Sequence, residues 1–179
     1  PAQVMTALGE TLLQTPPARA LLGDETVHTG FARSVVYRWF TDDASRLVYP
    51  VDDHAALSRS FVAGARLAHA RDGAGSKAAR IVDDLLGRSP EFAQLWKRHD
   101  VVQPPELTKR IAHPALGVLE VQCQSLHDPV QLHILLVFTA EPGSPSYAKL
   151  AALGADPQSY LRESPVSADR RSMDDTPLN

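Results

Sequence analysis

The chain has 179 residues, of which 44% are hydrophobic and 22% charged. This length accommodates one globular domain, and the composition excludes collagen-like, coiled-coil and wholly disordered chains. Eighteen Lys and Arg against 21 Asp and Glu give a formal charge of -3. That sign is wrong for a chain that binds the phosphate backbone of DNA by itself.

Cysteine content and the length of the apolar runs indicate in which cellular compartment the protein lies. Cys123 is the single cysteine, which excludes an internal disulfide and a four-cysteine zinc site and is typical of a reducing cytoplasm. The longest apolar run, within residues 132–140, is far shorter than the roughly 20 residues of a membrane helix. We therefore expect a cytoplasmic protein without a membrane partner, cofactor or metal ion. Because the chain begins at Pro1 without Met, we interpret it as a piece of a longer protein.

The first half of the chain is predicted to form a hairpin followed by helices. Residues 1–14 alternate loosely around a Gly-Glu pair, which is typical of two short strands joined by a turn. Thr15 before two prolines predicts a capped helix that stops at Gly23. Apolar spacing and capping residues predict further helices over residues 31–40, 41–50, 52–70, 76–86 with Gly87 as its end, and from Ser89 onward.

The second half of the chain changes to a strand pattern. β-rich runs are separated by Pro-containing turns and occupy residues 101–102, 107–113, 117–126 and 131–139. Consecutive strands of this kind predict an antiparallel meander. Alternation places Leu119, Val121 and Cys123 on the buried face of their strand, and the last run is apolar on both faces, which predicts a central strand.

These elements predict an α+β fold. We expect a PAS-like antiparallel sheet of about five strands with a helical layer packed over one face. After a short helix that ends at Gly154, residues from Asp156 onward lack periodicity. The prediction is therefore a domain over residues 1–154 and a C-terminal tail over 155–179 that is extended or partly disordered unless it docks.

Three stretches carry a resemblance to a known family. They are RSVVYRWFTDDASRLVYP at 33–50, RSPEFAQLWKRHDV at 88–101 and FTAEPGSPSYAKLAAL at 138–153. Together with residues 109–114 and 117–119, they resemble the ligand-binding domain of the MmyB-like transcription regulators over roughly residues 3–154. The resemblance implies an Xre-family helix-turn-helix regulator, often actinobacterial, whose DNA-binding domain precedes this one. It also implies a PAS-like fold and a small apolar ligand, foremost a fatty acid.

The chain departs from the family pattern at three positions. Thr15-Pro16 replaces Asn-Pro, and the turn at residues 127–130 replaces Gly-Asp-Pro-Gly. Val51-Asp52-Asp53 stands where the family has Asp-Trp-Glu. Loss of that Trp changes the size and shape expected of a pocket.

Candidate ligand-binding residues are those that a PAS-like pocket takes from its helices and sheet. They are Val35, Tyr37, Arg38, Trp39, Phe40, Leu85, Phe92, Trp96, His99, Val121 and Phe138. The aromatic residues are equally typical of a filled core. Arg38, Arg33 or His99 is suited to a ligand carboxylate, while the alternative is a solvated arginine and a histidine that merely ends a helix.

Other chemistry has weaker support. Cys123 lacks a basic neighbour in sequence and is expected to be an inert core thiol. The histidines show no HExxH spacing, and only His127, Asp128 and His133 share a hairpin. The chain lacks nucleotide-binding and nucleophile motifs, and Ser144 before Pro145 is typical of a helix cap, so we expect no enzyme.

Two functions follow from the sequence. The first is an effector-sensing domain that binds a fatty acid or similar apolar molecule and controls DNA binding through a helix-turn-helix domain outside this chain. The second is a ligand-free module that dimerises the same regulator, since such regulators bind palindromic sites as dimers. A homodimer is expected in both.

Overall fold

The computed structural model describes residues 1–98 and 108–161. Five strands and six α-helices lie in these ranges. The strands are β1 (Ala2–Thr6), β2 (Thr11–Gln14), β3 (Thr108–His113), β4 (Gly117–His127) and β5 (His133–Thr139). The helices are α1 (Pro16–Leu22), α2 (Val35–Thr41), α3 (His54–Asp72), α4 (Lys77–Arg88), α5 (Pro90–Arg98) and α6 (Pro145–Ala155). Short 3-10 helices occupy Glu25–Val27, Gly30–Arg33, Asp43–Val48, Val51–Asp53 and Pro157–Tyr160.

The strands form one antiparallel sheet in the order β2-β1-β5-β4-β3. The meander of β3, β4 and β5 and the central position of β5 confirm the sequence prediction. The predicted run at 101–102 lies outside the described residues. The N-terminal strand β1 pairs with β5 and thereby joins the hairpin of β1 and β2 to the meander.

One face of the sheet is covered by α1 and α6. Leu119 and Val121 of β4 are fully buried there, and Cys123 is half-buried, as the alternation predicts. The cluster also includes Ile111, Phe138, Leu21, Leu150 and Leu153. The α+β fold with helices over one sheet face is therefore confirmed.

A second apolar cluster lies among the helices α2 to α5. Its largest buried side chains are those of Trp39 and Phe92, which expose 1% and 0% of their surface. Val36, Phe40, Val62, Ala65, Ile81, Val82 and Leu85 complete it. Each cluster buries its side chains mainly among its own elements.

Local details differ from the sequence prediction at three places. The Thr15 side chain makes no cap hydrogen bond, since its hydroxyl pairs with the backbone N–H and C=O of Ala2 instead. Residues 31–40 do not form one helix, because Ser34 ends a 3-10 helix and caps α2 through the Tyr37 N–H. Helix α4 continues through Gly87 to Arg88.

The turn between β1 and β2 connects the sheet to the helices. The carbonyl of Gly9 accepts a hydrogen bond from the Val35 N–H at 3.0 Å, and the Ser34 hydroxyl donates to the Leu8 carbonyl at 2.5 Å. Glu10 forms an isolated bridge with Ser34 and an ion pair with Lys77 of α4. This hairpin therefore contacts both parts of the fold.

Candidate functional site

The candidate site is the seam between the sheet cluster and the helical cluster. Tyr49 packs against both clusters, and its ring meets Trp39 edge-on with 5.9 Å between centroids. On the sheet side Cys123 and Leu136 pack against the sheet cluster and are only partly buried. On the helical side Val35 and other partly buried apolar residues pack against the cluster. The seam is thus a place where apolar side chains on two sides are incompletely covered.

The predicted ligand-binding residues divide between the two clusters. Val121 and Phe138 belong to the sheet cluster. His99 lies outside the described residues. The helical cluster contains Val35, Tyr37, Trp39, Phe40, Leu85, Phe92 and Trp96. A single slot lined jointly by all of them is therefore not what the packing shows, because the helices α2 to α5 bury these rings mainly among themselves.

Trp39 is held by a polar network that joins two of the motif stretches. Its indole N–H donates to the Ser58 hydroxyl at 2.8 Å, which donates in turn to Glu91 at 2.6 Å. Arg46 donates to the other oxygen of Glu91 at 2.6 Å and to the Trp39 carbonyl at 2.8 Å. The guanidinium of Arg46 also lies 4.9 Å from the Trp39 ring centroid. Residues from α2, α3 and α5 are therefore fixed around one buried ring.

The network favours the ionised form of Glu91. Burial alone would raise its pKa, but hydrogen bonds from Ser58 and Arg46 and the nearby positive charge lower it overall. The role of this carboxylate is structural, because its oxygens already accept these two hydrogen bonds.

Arg38 is the most buried charged side chain of the predicted set, with 4% exposure. It pairs with Glu25 and donates to the carbonyls of Ala32 and Arg33. Burial lowers its pKa to about 10. The alternative of a solvated arginine is wrong for Arg38, whereas Arg33 is exposed. A ligand carboxylate would have to displace Glu25 to reach Arg38.

The seam also contains ionisable groups that interact with one another. Burial raises the pKa of Tyr49 to about 12, and its hydroxyl interacts electrostatically with Cys123 and Arg38. Burial also raises the pKa of the Cys123 thiol, while Lys109 acts in the opposite direction. This is the environment of an unreactive thiol, in agreement with the sequence interpretation.

Sequence reasoning did not place Lys109 beside the sheet cluster. The register pairs Lys109 with Val121 and Ile111 with Leu119, so Lys109 lies on the covered face of the sheet. The available signal was the alternation of β3, in which Lys109, Ile111 and His113 share one face. That signal becomes informative only once the register of β3 and β4 is known.

Three further kinds of site can be checked in the described residues: a cleft, a metal cluster and a membrane-spanning helix. A cleft of about 10 Å³ lies between α3 and α5, lined by Arg59, Val62, Ala63, Arg66 and Leu95. Within residues 1–98 and 108–161, no three His, Cys, Asp or Glu side chains are grouped to hold a metal ion. No helix of the same ranges is long and apolar enough to cross a membrane.

A comparison with protein families matches residues 1–153 to the MmyB-like transcription regulator ligand binding domain. The chain belongs to this family. A comparison with curated proteins gives no match. The MmyB-like domain brings two of the motif stretches together at the Arg46–Glu91 pair, while the third supplies Phe138 and α6 to the sheet cluster.

Membership of this family gives the function at a coarse level. An MmyB-like domain is the ligand-binding part of a transcription regulator, which implies a small-molecule effector and a DNA-binding regulator, and such domains are typically non-enzymatic. Ser144 has the capping role expected from the sequence, since its hydroxyl accepts the Tyr147 N–H at 3.1 Å.

Proposed function

We propose that this MmyB-like domain binds a fatty acid or similar apolar molecule in the seam and controls DNA binding by an Xre-family helix-turn-helix domain in the cytoplasm. The observation that carries the proposal is the division of the core into two clusters that share Tyr49. Partly buried apolar side chains pack against each of the two clusters. An acyl chain inserted there gains roughly 0.8 kcal/mol per buried methylene.

The route from ligand to DNA runs through the β1–β2 hairpin. β1 pairs with β5, which carries Leu136 and Phe138, and the turn at Gly9 is hydrogen-bonded to α2. A ligand that separates the sheet from α2 changes the packing of this hairpin. An N-terminal DNA-binding domain would join the fold at β1, so a shift between two packings changes its affinity for DNA reciprocally.

The first test is extraction of the purified protein under denaturing conditions, with mass spectrometry of the organic phase and native mass spectrometry of the intact sample. Stoichiometric fatty acid supports the proposal. Dodecanoic acid added to ligand-free protein should raise the melting temperature and should change operator binding by the full-length regulator. Failure of apolar ligands to do either would overturn it.

A pair of variants locates the ligand. Cys123→Phe fills the seam from β4, whereas Gln124→Phe places the same ring on the opposite, exposed face of that strand. We expect Cys123→Phe to lose uptake of dodecanoic acid and Gln124→Phe to retain it. Equal uptake by both folded variants would place the ligand elsewhere.

A second function, dimerisation, is favoured by the other face of the sheet. In the described part of the chain, Leu13, Val4, Leu135 and Leu126 are directly paired in one row across β2, β1, β5 and β4. Leu13 is 65% exposed and Leu126 is 56% exposed. Water-exposed sheet faces normally carry polar residues, so such a row is typical of a covered surface.

We propose a second copy of this chain as the occupant of that row. A twofold axis in the plane of the interface sets the row against its own copy, so apolar residues meet apolar residues. Five strands about 4.8 Å apart and about 20 Å long give a face of roughly 400–500 Å², or roughly 1,000 Å² for both partners. That area lies at the lower limit of specific interfaces and corresponds to a weak dimer.

Sedimentation equilibrium of the 179-residue chain tests this dimer. We expect dimer formation in the micromolar range, and we expect Leu126→Glu to abolish it. Leu67→Glu is the control, since Leu67 is 59% exposed but lies on α3. A monomer at every concentration, or equal loss in the control, would overturn the dimer and leave the row to another partner.

A further inference from the structure

A charged side chain, that of Lys109, lies beside the seam. Lys109 lies on the covered face of β3, directly opposite the fully buried Val121. Cys123, two residues further along β4, is its diagonal neighbour on the same face. The Lys109 side chain is partly buried. Its charge therefore lies next to the incompletely covered apolar surface of the sheet cluster.

Lys109 differs from three arginines near the two clusters. Arg38 is paired with Glu25, Arg46 with Glu91 and Arg110 with Asp53. Within residues 1–98 and 108–161, no carboxylate lies within ion-pair distance of the Lys109 ammonium. An ammonium group beside apolar surface is favoured by a carboxylate that approaches it. A ligand can supply that carboxylate.

We propose that Lys109 binds the carboxylate of the ligand, so that the domain takes an anionic amphiphile with a single acidic head and an apolar chain. This inference rests on the proposed ligand-sensing function and names the chemical class that the seam selects. The acyl chain lies against Val121, Cys123 and Leu136, and the head lies at the β3 side of the sheet. Arg38 does not compete for it, because Glu25 already neutralises that guanidinium.

The experiment compares dodecanoic acid with methyl dodecanoate, which has the same chain without the charge. Calorimetry or displacement of a fluorescent lipid gives Kd for both probes with the wild-type chain and three variants. Lys109→Met removes the charge, and Lys109→Arg retains it. Lys97→Met removes an equal charge from an exposed position on α5 and serves as the control.

We expect the wild-type chain to prefer the acid over the ester by about tenfold, the effect of a charge-assisted hydrogen bond. Lys109→Met should lose this preference through weaker binding of the acid while its Kd for the ester stays unchanged, which also shows that it is folded. Lys109→Arg and Lys97→Met should keep the preference.

Two results would overturn the inference, and they are distinguishable. If both probes bind and Lys109→Met keeps the preference for the acid, the proposed function survives and the role of Lys109 fails. If neither probe binds the wild-type chain, the ligand-sensing function itself fails, and the role of Lys109 fails with it.

Discussion

At the scale of single residues, the domain depends on a few buried polar groups that have defined partners. Trp39 is the largest fully buried side chain in the helical cluster, and its single donor is satisfied by Ser58. Ser58 is 1% exposed although it lies on a helix whose other serine, Ser60, is exposed. The Ser58 hydroxyl supplies the acceptor for the Trp39 indole N–H, because a buried N–H without an acceptor costs free energy.

Ser58→Ala is expected to destabilise the domain by about 1–3 kcal/mol, the cost of leaving buried polar groups unpaired. Both the Trp39 N–H and one oxygen of Glu91 lose their partner. Urea unfolding followed by tryptophan fluorescence measures the change, with Ser60→Ala as the control on the same helix. If the two substitutions have equal effects, the network does not stabilise the fold.

Glu91 makes the free energy of unfolding of the domain depend on pH in the acid range. Its pKa is lower in the folded state than in the unfolded chain, so ionised Glu91 contributes stability above its unfolded pKa. That contribution is lost as the pH falls through the folded pKa. The wild-type chain should therefore lose stability relative to Glu91→Gln between about pH 5 and pH 3.

Unfolding free energies at a series of pH values check this expectation. The matched control is Glu141→Gln, because Glu141 is exposed. A constant difference between wild type and Glu91→Gln across the acid range would show that Glu91 is not stabilised in its ionised form.

At the scale of elements, the turn between β1 and β2 is the point where sheet and helices meet. Gly9 has φ of +73°, and a Cβ added there would lie 2.7 Å from Cγ1 of Val35. Val35 is β-branched and stands at the start of α2, so its side chain has few alternative rotamers. Gly9 is therefore required both for its backbone conformation and for the close approach of α2.

Gly9→Ala and Gly143→Ala separate these two requirements. Gly143 also has positive φ, at +81°, but a Cβ there meets no heavy atom within 4 Å. We expect Gly143→Ala to cost about 1–2 kcal/mol through backbone strain, and Gly9→Ala to cost at least about 1 kcal/mol more through the clash. Thermal unfolding measures both. Equal melting temperatures would show that α2 yields to the extra methyl group.

The elements themselves were predictable where the signal is local. Alternation identified β4 and its buried face, and the Ser-Pro pairs identified the starts of α5 and α6, since these patterns depend on neighbouring residues alone. The predicted side-chain cap at Thr15 was wrong, because the Thr15 hydroxyl bonds to Ala2 in β1, which is distant in sequence. The break at Ser34 likewise depends on the turn of a distant hairpin.

At the scale of the whole molecule, the candidate site is defined by how two clusters meet, and this is what the sequence could not supply. The motif stretches contain the aromatic residues, but the pattern does not say that Trp39 and Phe92 pack in one cluster and Val121 and Phe138 in another. That division depends on contacts between residues far apart in the chain. Lys109 was missed for the same reason, since its face follows from pairing with β4.

Cys123 reports on the seam because it is the single cysteine of the chain and lies on the face that the proposed ligand contacts. Burial raises the pKa of its thiol, so little of the reactive thiolate is present near neutral pH. We expect a disulfide reagent such as DTNB to label it at least about tenfold more slowly than a free thiol, and we expect urea to remove this protection. Dodecanoic acid should slow labelling further, and methyl dodecanoate should do the same at saturation. Labelling at the rate of a free thiol, or a rate indifferent to saturating ligand, would contradict the placement of the acyl chain against β4.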